Sequence, residues 1–166
     1  MIYKLVERLD KSLKFERARA HCDIPCGIYD PIGAQIAALT VVRMIDLMND
    51  LSSSHNEEDE EFKNSMTRYI MVKEEHAEKV KHEIRVIYGD YIKQQHIDQH
   101  PELPGLVHKI YQLGSKSRQT ANRDNAVQLV EAVNQFAEIF WATKGIAIKR
   151  ATAPYKPSLE MVYPNL

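Results

Sequence analysis

Apolar residues recur at helical spacing over most of this chain, and they predict long amphipathic helices. Asp30-Pro31 is a good helix opening, since Asp is a favoured N-cap and Pro suits the first helical position. A first, largely buried helix is predicted from there to Leu51. A second long helix follows an acidic stretch and is predicted to stop at Gly89, a natural terminator. Its apolar face consists of Phe62, Met66, Tyr69, Ile70, Ala77, Val80, Ile84 and Ile87.

Two further helices are predicted in the second half of the chain, after a loop over residues 90–100. The apolar positions of the shorter one are Leu106, Val107, Ile110 and Leu113. Those of the last one are Val127, Val130, Val133, Ala137, Phe140 and Trp141. No segment alternates like a strand, and the proline-containing tail, residues 154–166, is predicted to be an extended arm or disordered. We therefore predict an all-α fold, an antiparallel up-down four-helix bundle over residues 31–153.

Length and charge narrow the possible functions. The chain has 166 residues, enough for one domain with a sizeable core. Lys and Arg total 22 against 23 Asp and Glu, so no basic excess indicates a nucleic-acid partner. No uninterrupted apolar run approaches the roughly 18 residues that cross a bilayer, so we expect no membrane protein. The two cysteines lie close together, which excludes a disulfide scaffold.

Residues 1–20 are basic and carry apolar residues at helical spacing. Charged residues interrupt every run that could form the apolar core of a secretory signal, so we expect the protein in the cytoplasm. This segment is either an ordinary N-terminal helix or a removable leader.

Several familiar catalytic sites find no support in the sequence. A di-iron site in a helical bundle needs Glu-x-x-His pairs, and no histidine from His55 to His108 has a Glu three residues before it. Neither a G-x-S-x-G elbow nor a glycine-rich phosphate loop is present. Isolated histidines and carboxylates on the helices are therefore interpreted as surface or satisfied polar groups.

The densest group of metal ligands precedes the first helix, in the sequence His21-Cys22-Asp23-Ile24-Pro25-Cys26-Gly27. Thiolate and imidazole ligands select zinc, copper, iron or nickel. An iron–sulfur cluster is disfavoured because Tyr29 stands where a third thiol would be needed. A small-loop disulfide, a zinc site that borrows a remote histidine and a metal in planar coordination remain open.

Cleavage after Ala20 would make the planar site possible. The free amine of His21, the backbone nitrogen of Cys22 and the Cys22 thiolate would close two fused chelate rings on one metal. The Cys26 thiolate would complete a plane of two nitrogens and two sulfurs, a geometry that Ni(II) and Cu(II) prefer. With residues 1–20 attached, the nitrogen of residue 21 is an amide and this site cannot form.

Residues 21–31, HCDIPCGIYDP, closely resemble the nickel hook of the nickel-containing superoxide dismutases, whose precursors are proteolysed to expose the histidine. Weaker similarity follows at residues 89–93 (GDYIK), 101–103 (PEL) and 140–144 (FWATK). The resemblance implies dismutation of superoxide to dioxygen and hydrogen peroxide by nickel alternating between Ni(II) and Ni(III). It also implies one nickel ion per four-helix-bundle subunit, a homohexamer, a leader over residues 1–20 that a maturation protease removes, and a hook over residues 21–30.

Carried over by position, the resemblance assigns the metal ligands. It implies that His21 supplies the amine and an axial imidazole, that Cys22 supplies the amide nitrogen and a thiolate, and that Cys26 supplies the second thiolate.

The resemblance also implies roles around the metal. Tyr29 would guard the open face of the metal, Tyr91 would hydrogen-bond to Tyr29, and Asp23 would lie near the access path. The chain departs from the family pattern where some members hold the axial imidazole with a Glu and an Arg, since Ala37 and His76 stand at those places. His76 is either a substitute partner or an ordinary interhelical polar group.

Two other functions remain open. In the first, the chain is a non-catalytic helical module in which Cys22 and Cys26 bind zinc or switch between thiols and a disulfide. In the second, it is a helical interaction protein with an inert hook.

Overall fold

A computed structural model describes residues 27–54 and 58–166 of the chain. The predictions about the leader and about His21, Cys22, Asp23 and Cys26 fall on residues 1–26 and lie outside the described residues.

Helices dominate the described residues, as predicted. The α-helices are α1 (Ile32–Ser54), α2 (Glu60–Val86), α3 (Gln94–Gln99), α4 (Leu103–Gln119) and α5 (Arg123–Thr143). A π-helical turn, Ile87–Tyr91, continues α2 directly. Two strands follow the helices, β1 (Ile148–Thr152) and β2 (Glu160–Pro164).

The four long helices form a closed bundle, in which α1 packs on α2, α2 on α4, α4 on α5 and α5 on α1. The first turn of α1 lies against the last turns of α2, where Gly33 approaches Glu83, so these two helices are antiparallel. The core is filled by completely buried side chains from every long helix and includes Val41, Ile45, Val80, Ile84, Leu103, Ile110, Leu129, Phe136 and Phe140. The predicted up-down bundle is confirmed.

The predicted opening of α1 is also confirmed in its hydrogen bonding. The backbone N–H of Ile32 donates to Asp30 Oδ1 over 2.8 Å, which satisfies one of the donors that a helix start leaves free. Asp59 does the same for α2 by accepting from the Glu61 N–H over 3.1 Å. Both helix starts therefore follow from local sequence.

The end of α2 differs from the prediction. The backbone does not stop at Gly89 but continues through the π turn, in which the Ile92 N–H donates to the Ile87 carbonyl over 3.1 Å. Ile87 and Ile92 are 3% and 7% exposed, and a five-residue turn places both of these apolar residues on the core side. The predicted loop over residues 90–100 in turn contains α3.

The prediction that the chain has no strands is wrong. β1 and β2 pair antiparallel, with Ile148 opposite Pro164 and Thr152 opposite Glu160. The hairpin docks on α1 and α5, and Met161 and Val162 are 0% and 1% exposed. Its strands are too short to show alternation, and tertiary burial rather than local pattern holds them.

Helix α1 is, by length and composition, the one helix among residues 27–54 and 58–166 that could cross a membrane. In the structure half of its apolar stretch is buried against the rest of the bundle, and Ala34, Val41 and Ile45 are fully covered. This is the position of a bundle's core helix, and it accounts for the apolar composition.

Candidate metal centre

Tyr29 and Tyr91, two of the residues assigned to the site by sequence, lie together at one end of the bundle. The hook segment enters α1 there, the π turn and α3 follow α2 there, and α5 ends there. Gly27 has φ = +88°, a left-handed conformation that residues with a side chain rarely adopt. The backbone therefore takes a left-handed conformation at Gly27, shortly before α1 begins.

Tyr29 and Tyr91 lie in contact at this end. Their ring centroids are 5.6 Å apart and the ring planes are inclined by 44°. Both rings are partly buried against the core, so the tyrosine that precedes α1 rests on the tyrosine that ends the π turn. The structure thus brings together two of the residues that the resemblance singled out.

Tyr91 is held on several sides by aromatic rings. The His96 imidazole stacks on it at 5.4 Å with an angle of 21°, and the Phe140 ring meets it at 5.1 Å. Phe140 in turn meets the edge of Trp141 at 5.0 Å, and Trp141 is 8% exposed. This packing restrains the orientation of the Tyr91 ring.

The Tyr91 hydroxyl is bound at the end of α5. It lies 2.8 Å from Thr143 Oγ1, and the Thr143 hydroxyl donates to the Phe140 carbonyl over 2.6 Å. The Lys144 ammonium lies 4.7 Å from the centroid of the Tyr91 ring, within the range of a cation–π contact. The helix end therefore places a hydroxyl and a positive charge beside Tyr91.

The hydrogen bonding of His96 fixes its protonation. Its Nδ1 accepts from the backbone N–H of Lys93 over 3.1 Å, so Nδ1 carries no proton and the ring is neutral. With 9% of its surface exposed, His96 is a buried neutral ring that packs on Tyr91.

His76 lies elsewhere on α2. Its Nδ1 is 2.8 Å from the Val72 carbonyl, and since a carbonyl only accepts, Nδ1 carries the proton. About 15 Å of helix separates His76 from Val86, at roughly 1.5 Å per residue. The structure does not bring His76 into the group around Tyr91, and Ala37, its counterpart on α1, is 1% exposed.

The hook sequence contains donors that could hold a metal ion. Within residues 27–54 and 58–166, no group of three or more His, Cys, Asp or Glu side chains is placed to hold a metal ion. By their chemistry, the hook residues would offer two thiolates, two nitrogens and an imidazole, which are donors that nickel accepts. This donor set fits a nickel ion.

Sequence reasoning missed the immediate neighbours of Tyr91. His96 was interpreted as an ordinary polar group, and Thr143 and Lys144 received no role although they lie in one of the weakly similar segments. Their importance depends on the packing of α5 against the π turn, which spacing along the chain does not reveal.

Comparison with known proteins identifies the family. A family model for nickel-containing superoxide dismutase matches residues 16–144, which include the hook and all four long helices. The chain belongs to the nickel-containing superoxide dismutase family.

Individual relatives are similar to this chain over most of their own length. A superoxide dismutase [Ni] of Streptomyces coelicolor is 34% identical over 125 residues, covering 75% of this chain and 88% of the relative. The enzyme named likewise in Streptomyces seoulensis is 31% identical over 128 residues, covering 77% and 91%. The native crystal structure of a nickel superoxide dismutase superposes with a TM-score of 0.64 at 33% identity, covering 75% of this chain and 99% of the other. The hairpin β1–β2 lies beyond Lys144, where the family match ends.

Proposed function

We propose that this chain is the precursor of an enzyme that dismutates superoxide at a nickel ion held by its N-terminal hook. The observation that carries the proposal is the family match over residues 16–144, which contains the hook sequence intact. In the overall reaction, two superoxide anions and two protons give one dioxygen and one hydrogen peroxide. The site needs one-electron chemistry, a source of protons and access for an anion.

The ligands in this proposal come from the hook. After removal of residues 1–20, the His21 amine and imidazole, the Cys22 amide nitrogen and the thiolates of Cys22 and Cys26 would hold the nickel ion. The bound nickel ion, one per subunit, supplies one-electron chemistry by alternating between Ni(II) and Ni(III). Thiolate donors favour the oxidised metal, which suits this role.

Tyr29 and Tyr91 control the approach to the metal in this proposal. Tyr29 lies near the end of the hook segment and rests against Tyr91, whose ring is held by His96 and Phe140. The Tyr29 phenol guards the open face, and phenols together with ordered water can deliver the two protons that peroxide formation consumes.

The charge at this end of the bundle suits an anionic substrate. The Lys144 ammonium sits over Tyr91, and a positive charge beside a narrow site raises the local concentration of an anion such as superoxide. Asp23 lies close to the access path in the proposed arrangement, where its carboxylate limits which anions and waters approach.

His76 is proposed as a positioning residue for the axial imidazole. With Nδ1–H bonded to the Val72 carbonyl, Nε2 is the ring nitrogen left to face a second imidazole. Ala37 offers no polar group, so any such support comes from α2.

Assembly, maturation and location follow the family pattern in this proposal. The subunits associate as a homohexamer, a protease cleaves after Ala20, and the protein works in the cytoplasm, where thiols stay reduced. Neither nucleic acid nor a membrane is a partner.

The proposal is tested on protein purified from its native host. We expect an intact mass that begins at His21, nickel near one per chain, and consumption of superoxide. A Cys22→Ser variant should lose both nickel and activity, and an otherwise identical chain that retains residues 1–20 should be inactive. Active protein that begins at Met1, or zinc or a disulfide at the two cysteines without activity, would contradict the proposal.

A further inference from the structure

Thr143 is the last residue of α5, and its side chain connects that helix to Tyr91. The Thr143 hydroxyl has one proton, and the 2.6 Å contact with the Phe140 carbonyl requires that proton because a carbonyl can only accept. The hydrogen bond between the Thr143 and Tyr91 oxygens therefore has to use the phenol proton.

This assignment fixes the donor and the acceptor in both hydrogen bonds. Tyr91 donates to Thr143, and Thr143 donates to the Phe140 carbonyl, where the chain ends. A backbone carbonyl passes no proton onward, so this route does not lead to solvent. Toward the hook, the Tyr91 oxygen keeps only its lone pairs.

We propose that Thr143 is a positioning residue that fixes Tyr91 as a hydrogen-bond acceptor toward the hook. Tyr91 then accepts from a hydroxyl on the Tyr29 side, either the Tyr29 phenol or the O–H of hydrogen peroxide, and does not donate its own proton to the reacting oxygens. Of these two phenols, Tyr29 and not Tyr91 is then the one that could pass a proton to peroxide. This inference rests on the proposed function, because it assigns the direction of hydrogen bonding within the same site.

The surroundings of Tyr91 support a fixed orientation. His96 and Phe140 hold the ring, and the Lys144 ammonium lies 4.7 Å from its centroid, so the phenol oxygen is kept beside Thr143 Oγ1. The bond to Thr143 is the one hydrogen bond recorded for the Tyr91 hydroxyl among residues 27–54 and 58–166. Loss of the Thr143 hydroxyl would free the phenol proton.

The test uses Thr143→Val, which removes the hydroxyl at nearly constant shape, and Thr143→Ser, which keeps it. Thr120→Val is the matched control, because Thr120 ends α4 and its hydroxyl donates to Lys116 on its own helix, far from Tyr91. In the nickel-loaded enzyme we expect Thr143→Val to lower kcat/KM by roughly threefold to tenfold, while Thr143→Ser and Thr120→Val stay near the original rate.

A double-mutant cycle shows whether the effect passes through Tyr91. In a Tyr91→Phe background, Thr143→Val should cause no further loss, because the bond it removes is already absent. An equal loss in both backgrounds would overturn the inference in favour of a merely structural role for Thr143.

A second measurement needs no nickel. In the metal-free full chain with carbon-13 labelled tyrosine rings, exchange of the Tyr91 hydroxyl proton with water should be slow in the original and in Thr143→Ser, and roughly tenfold faster in Thr143→Val. Unchanged exchange in Thr143→Val would overturn the inference. If the processed chain holds no nickel, the proposed function fails, and the exchange experiment still decides whether Tyr91 donates to Thr143.

Discussion

Gln35 and Asn134, 99 residues apart in the sequence, are joined by a buried hydrogen bond of 3.0 Å from the Gln35 amide to Asn134 Oδ1. The same Gln35 amide donates to the Val162 carbonyl over 3.1 Å, and the Asn134 amide donates to the Glu160 carbonyl over 2.9 Å. Two side chains thus fasten α1, α5 and β2 to one another. This links the helix that follows the hook to the C-terminal hairpin.

Gln35→Met should destabilise the fold. Methionine is similar in volume but cannot donate, so Asn134 Oδ1 and the Val162 carbonyl would each lose a buried partner, at a total cost of about 2 kcal/mol. The free energy of unfolding in urea measures this. Gln112→Met, at an exposed position of α4, is the control and should change it by less than about 0.5 kcal/mol. Equal values for the two variants would contradict the role given to Gln35.

Arg150→Met should weaken the attachment of the hairpin in a pH-dependent way. Arg150 forms two hydrogen bonds with Glu131, of 2.9 and 3.0 Å, and one of 2.7 Å with Glu138. The hydrogen-bonded guanidinium lowers the pKa of Glu131 below its ordinary 4.5. Because both partners are partly exposed, we expect a loss of only about 1 kcal/mol at neutral pH.

The direction of this pH dependence follows from the lowered pKa of Glu131. The stabilisation is fully present above the ordinary pKa of 4.5 and is lost as the pH falls through the lower pKa of the folded state. Urea unfolding at a series of pH values should therefore show the difference between the original chain and Arg150→Met shrinking in acid. Lys149→Met, at an exposed neighbour, should show no such difference at any pH. A constant difference down to low pH would contradict this mechanism.

Lys73→Met should destabilise the end of α4. The Lys73 side chain is 3% exposed, and its ammonium donates to the carbonyls of Ser117, Arg118 and Thr120 over 2.8, 2.6 and 3.2 Å. A cation that binds the last carbonyls of a helix also interacts favourably with the helix dipole. We expect a loss of about 2 to 3 kcal/mol in the free energy of unfolding.

The matched control is Lys79→Met, an exposed lysine on the same helix. Hydrogen exchange gives a second readout, since protection of the last turn of α4 should fall in Lys73→Met and persist in Lys79→Met. A uniform loss of protection along the whole bundle, with the end of α4 no worse than the rest, would contradict a local capping role.

Gly27→Ala should impair the hook turn more than the bundle. Gly27 has φ = +88°, whereas Gly105 is helical, and a Cβ at either position would meet open space within 4 Å. The comparison with Gly105→Ala therefore isolates backbone strain from steric contact. In processed protein we expect Gly27→Ala to lower nickel affinity by roughly fivefold to thirtyfold, equivalent to about 1 to 2 kcal/mol.

Gly105→Ala should leave nickel affinity unchanged. It should raise the free energy of unfolding by between a few tenths of a kcal/mol and about 1 kcal/mol. Competition with a nickel chelator measures the first quantity and urea unfolding the second. If Gly27→Ala bound nickel as tightly as the original, the turn would not contribute to the site.

The helices could be predicted because their causes are local. The Asp30 cap, the spacing of the apolar positions and the polar breaks between helices are visible in the sequence, and the structure confirms the four-helix bundle. The π turn and the hairpin could not be predicted, because each depends on distant burial. Ile87 and Ile92 share the core, and Met161 is covered by the bundle.

The candidate site also has a part that could be predicted from the sequence and a part that could not. The hook donors could be proposed from neighbouring residues, because the chelate rings they form are local. The contact between Tyr29 and Tyr91 joins the residues before α1 to the turn after α2, and only a resemblance could point to it before the structure. His96 and Thr143 complete that group through α3 and α5, elements whose positions no local pattern reveals.

Trp141 is the sole tryptophan of the chain. Its edge-on contact with Phe140 leaves two rings, those of Phe140 and Tyr91, between it and Tyr29 at the end of the bundle where α1 begins. The protein therefore contains its own optical reporter. Selective excitation of indole fluorescence follows events at this end without any introduced label, so metal binding and unfolding can be timed in the unmodified protein.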